Sequence, residues 1–256
     1  MAGSDESVFL SVVVPAYNED ARLGPTLRTI RAHLESRINA AGTGNGPTEI
    51  IVVDDGSTDR TGAVAAEALR GRPRDRVLRR GKNRGKGFSV KEGMLAAAGR
   101  LILFTDADLS TPITELEKLL AGIRDGHDIV IGSRALPGAE IRRRQRVLRE
   151  RMGKTFNLFV RGWVLKGFPD TQCGFKLFRR EAARDIFSRV RLDGFSFDVE
   201  VLFLARRLGY SIGQVPVVWI NSPESKVRIV ASSVSMLRDL FRIRRLHRNA
   251  GFRRSS

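Results

Sequence analysis

The sequence predicts an α/β protein: a mostly parallel central sheet flanked by helices. Two observations carry that expectation. Short β-branched runs alternate with helix-compatible stretches up to about residue 133. Each run ends in a turn and, in most cases, leads into one of those stretches, which is the rhythm of strands joined by crossover helices. With 256 residues, 42% of them apolar, the chain can bury one sizeable core and is read as a single domain over 1–256. In order, the expected elements are a strand at 9–14 (FLSVVV), a helix over 25–40, a flexible AGTGNGP loop at 41–47 and a strand at 49–54 (EIIVVD). A helix over 58–70, a strand at 76–80 (RVLRR), a helix over 87–98 and a strand at 100–106 (RLILFTD) follow. A helix over 114–124 and a strand at 128–133 (DIVIGS) complete the regular part, with Thr58 and Thr114 as expected N-caps. Beyond Asp128 the rhythm breaks into long basic helices, a turn-rich DTQCGFK segment, a helix over 198–208 and a strand at 211–219 (SIGQVPVVW).

Composition excludes several classes. Cys173 is the single cysteine, so neither an internal disulfide nor a thiolate zinc site can form, and a reducing compartment fits best. No apolar run approaches the roughly 18 to 20 residues of a membrane span, and the acidic start MAGSDES lacks the order of a signal peptide. His33, His127 and His247 lie in no metal-ligand or triad pattern.

Charge is distributed unevenly. Through residue 128 there are 18 basic and 18 acidic residues; after it there are 27 and 10, so the whole net charge of +17 falls in the second half. Segment 134–166 has ten Lys/Arg against Glu140 and Glu150, and 226–254 has nine against Asp239. Such blocks point to an anionic partner or to a solvated basic face. Val147, Leu148, Met152, Phe156, Phe159, Val160, Trp163 and Val164 recur at helical steps among the arginines of the first segment. Met236, Leu237, Leu240, Phe241 and Ile243 repeat the pattern less perfectly, with Arg242, Arg244, Arg245 and Arg248 beside them. Basic amphipathic helices of this kind fit an anionic membrane surface, and equally a core-packed stripe.

In open α/β sheets ligands bind beyond the carboxyl ends of strands. Four of the predicted strands end there in unusual chemistry: Pro15-Ala16-Tyr17-Asn18-Glu19, Asp54-Asp55-Gly56-Ser57, Asp106-Ala107-Asp108 and Gly132-Ser133-Arg134. One such end alone is most simply a turn or cap; four in succession are not. Alternate residues leaving a strand project to one side, so Asp106 and Asp108 can reach one site, where two like charges need a cation. With oxygen donors only, that cation is Mg²⁺ or Mn²⁺, completed by waters and a diphosphate. The turn Gly81–Gly87 (GKNRGKG) has the glycines and the following helix of a phosphate-binding turn, but not the spacing of a P-loop. The first strand runs into Pro15 rather than G-x-G-x-x-G, which disfavours a dinucleotide and hydride transfer.

SVVVPAYNED, EIIVVDDGSTDRT, GKNRGKG and FTDADLS, in this order and spacing, resemble the family 2 inverting glycosyltransferases of GT-A fold over residues 8–134. GSRALPG, DTQCGFKLF and FSFDVEVLFLARRLGY resemble the branch that makes dolichyl- and polyprenyl-phosphate sugars, most closely its β-glucosyltransferases. The resemblance implies a nucleotide-sugar-binding half at 8–134 and an acceptor-binding, membrane-facing half at 135–256. It implies that Pro15, Tyr17, Glu19 and Asp54 line a base and ribose pocket, with Asp55 supporting that turn and Lys86 near the nucleotide. Asp106 and Asp108 would hold the metal and diphosphate. Arg134, with Arg144, Arg146, Lys226 and Arg228, would receive a lipid phosphate. Relatives of that branch commonly carry membrane helices; here the basic amphipathic segments are expected to reach the lipid from the cytoplasmic face.

The implied reaction is displacement at the anomeric carbon of UDP-glucose by an oxygen of dolichyl or polyprenyl phosphate. That nucleophile is already ionised near neutral pH, so no general base is required; Asp198 or Glu200 would be needed only for a neutral hydroxyl acceptor. Two other readings are a different donor such as GDP-mannose or a soluble hydroxyl acceptor, and a nucleic-acid-binding module. At 7% aromatic the chain lacks stacking residues for the latter, and no nucleic acid is expected.

Overall fold

The computed structural model describes residues 8–38, 46–143, 165, 167–220 and 229–248. Among them, β1 (Leu10–Ala16), β2 (Thr48–Asp54), β3 (Arg76–Arg79), β4 (Leu101–Thr105), β5 (Ile129–Ser133), β7 (Phe175–Arg179) and β8 (Ile212–Pro216) form one sheet in the order β3-β2-β1-β4-β7-β5-β8. All neighbours are parallel except β7, which runs antiparallel to both β4 and β5. A small parallel pair joins β6 (Glu140–Arg143) to β9 (Val218–Ile220). This is the α/β class expected.

Both faces of the sheet are covered, which explains why β1 and β2 are buried at every position. Val13, Ile51, Val53, Ile102, Phe104, Ile129 and Phe178 point to one side. There they meet α3 (Lys86–Ala96), α5 (Arg180–Arg189), α6 (Phe197–Arg207) and the inner edge of α7 (Ile229–Leu246). Val12, Val14, Ile50, Val52, Leu103 and Leu177 point to the other, against α1 (Asp20–His33) and α4 (Leu116–Arg124). The helix α2 (Thr61–Ala68) packs on α1 and adds Ala65 to that second core. Each fully buried Val, Ile or Leu contributes about 1.5–3 kcal/mol relative to exposure.

Several elements depart from expectation. Helix α1 begins at Asp20, with Pro25 inside it, and a π turn at Leu34–Ile38 extends it. Its start is set by tertiary contact: the Glu19 amide donates to Thr61 Oγ1 at 2.7 Å, while the Glu19 carbonyl accepts the amides of Arg22 and Leu23. Pro25 then removes one interior bond without ending the helix. Neither Thr58 nor Thr114 is an N-cap. The cap of α2 is Arg60, and Thr114 lies within a 3₁₀ turn at Ile113–Glu115. The DTQCGFK segment is no mere turn, because Phe175 and Lys176 open β7. SIGQVPVVW divides into β8 and β9, which belong to different sheets. Within the first basic segment, Glu140–Arg143 form strand β6, and the amphipathic helix expected from Val147 to Val164 lies outside the described residues. In the C-terminal segment the helix forms, and Leu240 and Ile243 are core residues while Phe241, Arg242, Arg244, Arg245 and Arg248 are exposed.

Candidate active site

Parallel pairing aligns the carboxyl ends of β1, β2 and β4 on one edge, with Ala16 opposite Asp54 and Val13 opposite Phe104. Because β7 is antiparallel, it is its start that reaches this edge: Phe175 pairs with Thr105. The loop preceding it, 170–174, is thereby brought beside Asp106, whose amide donates to the Gly174 carbonyl at 3.2 Å.

Asp106 and Asp108 stand in a turn closed by the Leu109 amide on the Asp106 carbonyl at 3.2 Å, not on a continuing strand. Ala107 between them is buried and both acids are partly exposed. Asp106 Oδ1 is 2.7 Å from Lys86 Nζ, and Asp108 Oδ1 accepts the Ser110 amide at 2.9 Å. Burial works against the Lys86 charge, but Asp106 first, then Asp198 and Asp108, prevail and hold its pKa above the ordinary lysine value. Both aspartates therefore act on the Lys86 charge. Leu109 has φ +44°, a left-handed conformation costly for leucine, and Asn18 after β1 has φ +54°. Both non-glycine outliers among the described residues follow strands of this edge, where stored strain is characteristic of working loops.

The two carboxylates fit a hard divalent cation. They present oxygen only, and Asp106 already attracts a cation in Lys86. A two-carboxylate site of this type leaves the remaining positions to water and phosphate oxygens.

The expected nucleotide residues are gathered at the same edge in different states. Pro15 is a buried strand residue opposite Val53, and Tyr17 is 44% exposed. Glu19 is paired with Arg22, Oε1 accepting from Nη2 at 2.7 Å. Asp54 is fully buried; Oδ1 accepts the Ser57 amide at 3.0 Å, and Oδ2 lies 3.4 Å from Arg79 Nε. Asp55 does more than support its own turn. Its carboxylate accepts the amides of Arg84 at 3.0 Å and Gly85 at 2.8 Å, and so clamps the glycine turn. From the other side the Asp193 carbonyl accepts the amides of Gly87 and Phe88. Gly85 has φ +110°, and a Cβ there would lie 2.5 Å from the Asp193 carbonyl oxygen. The turn is thus not an open phosphate cradle, since these amides are already used by the protein. It serves to place Lys86 at the start of α3.

Two buried ion pairs back the site. Arg134 grips Asp170 with both Nε (2.7 Å) and Nη2 (2.8 Å), and its amide donates to the same carboxylate at 2.9 Å. Arg134 is raised in pKa, burial being outweighed by Asp170, and Asp170 is lowered to about 2. Lys176, 2% exposed, pairs with Asp198 and donates to the Cys173 carbonyl at 2.6 Å. Burial pushes the Asp198 carboxyl up, and likewise the Cys173 thiol, to about 11. Glu200 accepts the amides of Arg191 and Leu192 and contacts His247 Nε2 at 2.6 Å, which ties α7 to the loop holding the glycine turn. Asp198 and Glu200 are therefore buried, partnered acids, and neither is an open base. Arg144, Arg146, Lys226 and Arg228 lie outside the described residues.

Asp170, Lys176 and Asp193 are the residues that sequence reasoning missed. The first two stand in DTQCGFK, a block already conspicuous, but their partners are 36 and 22 residues away. Gly174 belongs with them: a Cβ there would collide with the Asp106 carboxylate. Gly174→Ala is expected to displace that carboxylate and weaken Mn²⁺ binding by about tenfold, on the scale of losses from disturbed metal-site partners, with the fold retained; isothermal titration checks it.

An α/β sheet carrying an acidic pair, a lysine and a clamped glycine turn at one carboxyl edge defines a GT-A-type transferase. A family model described as glycosyl transferase family 2 matches residues 11–187, and the chain belongs to that family. It is 37% identical over 246 residues to the dolichyl-phosphate beta-glucosyltransferase of Dictyostelium discoideum, spanning 93% of this chain and 75% of that one. The Drosophila melanogaster enzyme of the same name is 40% identical over 247 residues, 93% of this chain and 74% of the relative. Among solved structures, the glucosyl-3-phosphoglycerate synthase of Mycobacterium tuberculosis in complex with Mn²⁺, UDP and glucosyl-3-phosphoglycerate superposes with TM-score 0.67 at 20% identity. That match covers 92% of this chain and 80% of the synthase.

Proposed function

We propose that this protein transfers glucose from UDP-glucose to dolichyl or polyprenyl phosphate, with inversion, at the cytoplasmic face of a membrane. The observation that carries the reading is the 37–40% identity to dolichyl-phosphate beta-glucosyltransferases across 93% of the chain, through donor and acceptor halves alike. The phosphate oxygen attacks the anomeric carbon as its bond to the UDP oxygen breaks, and no proton need be removed. The burial of Asp198 and Glu200 supports this, since a hydroxyl acceptor would need an accessible base.

Pro15, Tyr17, Glu19 and Asp54 line the base and ribose pocket, and Asp55 fixes the turn that aims Lys86. Asp106 and Asp108 would hold Mg²⁺ or Mn²⁺, which when bound neutralises charge on the departing diphosphate. Arg134, oriented by Asp170, screens the repulsion between two anionic substrates, with Arg144, Arg146, Lys226 and Arg228 as further acceptor-phosphate residues. Among the described residues no helix is long and apolar enough to cross a membrane. The exposed Arg242, Arg244 and Arg245 on α7, with Arg248 just beyond it, supply peripheral attraction to anionic lipid, about 1 kcal/mol each near the surface.

The test is product analysis with UDP-glucose, GDP-mannose and a short prenyl phosphate, in Mg²⁺ or Mn²⁺. Prenyl-phosphate glucose is the expected product. Transfer from GDP-mannose alone, or to a hydroxyl acceptor while prenyl phosphate is ignored, would refute the reading.

A further inference from the structure

Lys86, expected near the nucleotide, and Asp106, expected to hold the metal, touch one another: Lys86 Nζ lies 2.7 Å from Asp106 Oδ1. An ammonium at that distance and a divalent ion cannot share one carboxylate oxygen without strong repulsion. Among the described residues Asp106 is the one carboxylate within ion-pair distance of Lys86. Of the other acids that act on its charge, Asp198 is buried and already paired with Lys176, and Asp108 accepts the Ser110 amide. Asp55 is committed to the amides of Arg84 and Gly85. The turn that carries Lys86 is clamped on both sides, so its backbone stays in place and the flexible side chain alone can reorient.

We propose that Lys86 occupies the cation position on Asp106 in the donor-free enzyme and is exchanged onto the nucleotide's diphosphate when donor and metal bind together. Lys86 is then an internal competitor of the metal. Without nucleotide it suppresses metal binding; with nucleotide the incoming phosphate charge draws it off, and the metal takes its place. Donor and metal affinities are coupled through one side chain, and the coupling is reciprocal. The inference rests on the assignment of Asp106 as a metal ligand.

Electron-paramagnetic titration of Mn²⁺ into the full chain, with and without UDP, tests it. Lys86→Met is expected to bind Mn²⁺ without nucleotide about tenfold more tightly than the wild type, within the usual range of coupling. The factor by which UDP tightens Mn²⁺ binding should shrink correspondingly. Lys82→Met, an exposed lysine of the same turn, controls for net charge and should leave Mn²⁺ affinity within about twofold, as for a screened surface charge. The rise in Tm produced by Mn²⁺ alone should be larger in Lys86→Met and in Lys86→Gln than in the wild type, which reads the same competition in any variant that folds. Unchanged or weaker Mn²⁺ affinity in both Lys86 variants, with Asp106→Asn abolishing binding, overturns the exchange and leaves the metal site standing. Wild-type Mn²⁺ affinity in Asp106→Asn overturns both.

Discussion

Asp108→Asn is expected to lower sugar transfer by about 10²–10³-fold or more, the scale of losing one group that stabilises transition-state charge, while leaving the fold intact. The structural reason for the separation is specific. Within the protein, Asp108 Oδ1 accepts the Ser110 amide at 2.9 Å, and an asparagine carbonyl oxygen can accept the same bond. What is lost is one negative charge beside Asp106. Turnover at saturating UDP-glucose, read beside far-UV circular dichroism and Tm, checks it. A fully active variant would remove Asp108 from the metal site.

Arg134→Met is expected to be the most destabilising single change at the site. It leaves Asp170, 2% exposed, with its charge but without the guanidinium that made two bonds to it. Breaking such a buried pair from one side costs about 3–5 kcal/mol, or on the order of 10 °C in Tm for a chain of this size. The pH dependence has a definite sign. Burial alone would raise the Asp170 pKa, but Arg134 and its hydrogen bonds lower it from 3.8 to about 2. A group depressed on folding contributes stability above its unfolded pKa and loses it as pH falls toward the folded value. The contribution, about 2 kcal/mol from that shift, is full above pH 4 and fades between 4 and 2. The Tm difference between wild type and variant should therefore narrow over that window, and Asp170→Asn added to Arg134→Met should recover part of the loss. A Tm within 2 °C of wild type would mean that Asp170 finds another partner. Activity lost in Arg134 variants must be read against this stability loss, because the residue pairs with a buried acid as well as having the acceptor-phosphate role proposed for it.

The donor side was legible because its chemistry is local. Parallel strands place the residue after each apolar run at one edge, so Tyr17, Asp54 and Asp106 could be placed there by position alone, and the order of motifs sufficed for the family. The start of α1 was misplaced because a contact 42 residues away, Glu19 to Thr61, sets it, and no local propensity reports that. The glycine turn was read as a phosphate cradle because its glycines are visible in the sequence and the carboxylate and carbonyl that consume its amides are not. Asp198 and Glu200 looked like candidate bases at a helix start; their partners Lys176 and His247 come from β7 and the end of α7.

By itself the sequence determined the α/β class, the family, the acidic pair and the surplus of positive charge in the second half, since each is written in spacing or composition along the chain. Only the tertiary structure decided that β7 enters antiparallel between β4 and β5. That reversal delivers the beginning of a strand, rather than its end, to the carboxyl edge, and with it Asp170, Gly174 and Lys176 against residues dozens of positions away. Strand direction within a sheet depends on which neighbours bury the strand, a property of the assembled core that no short stretch of residues contains.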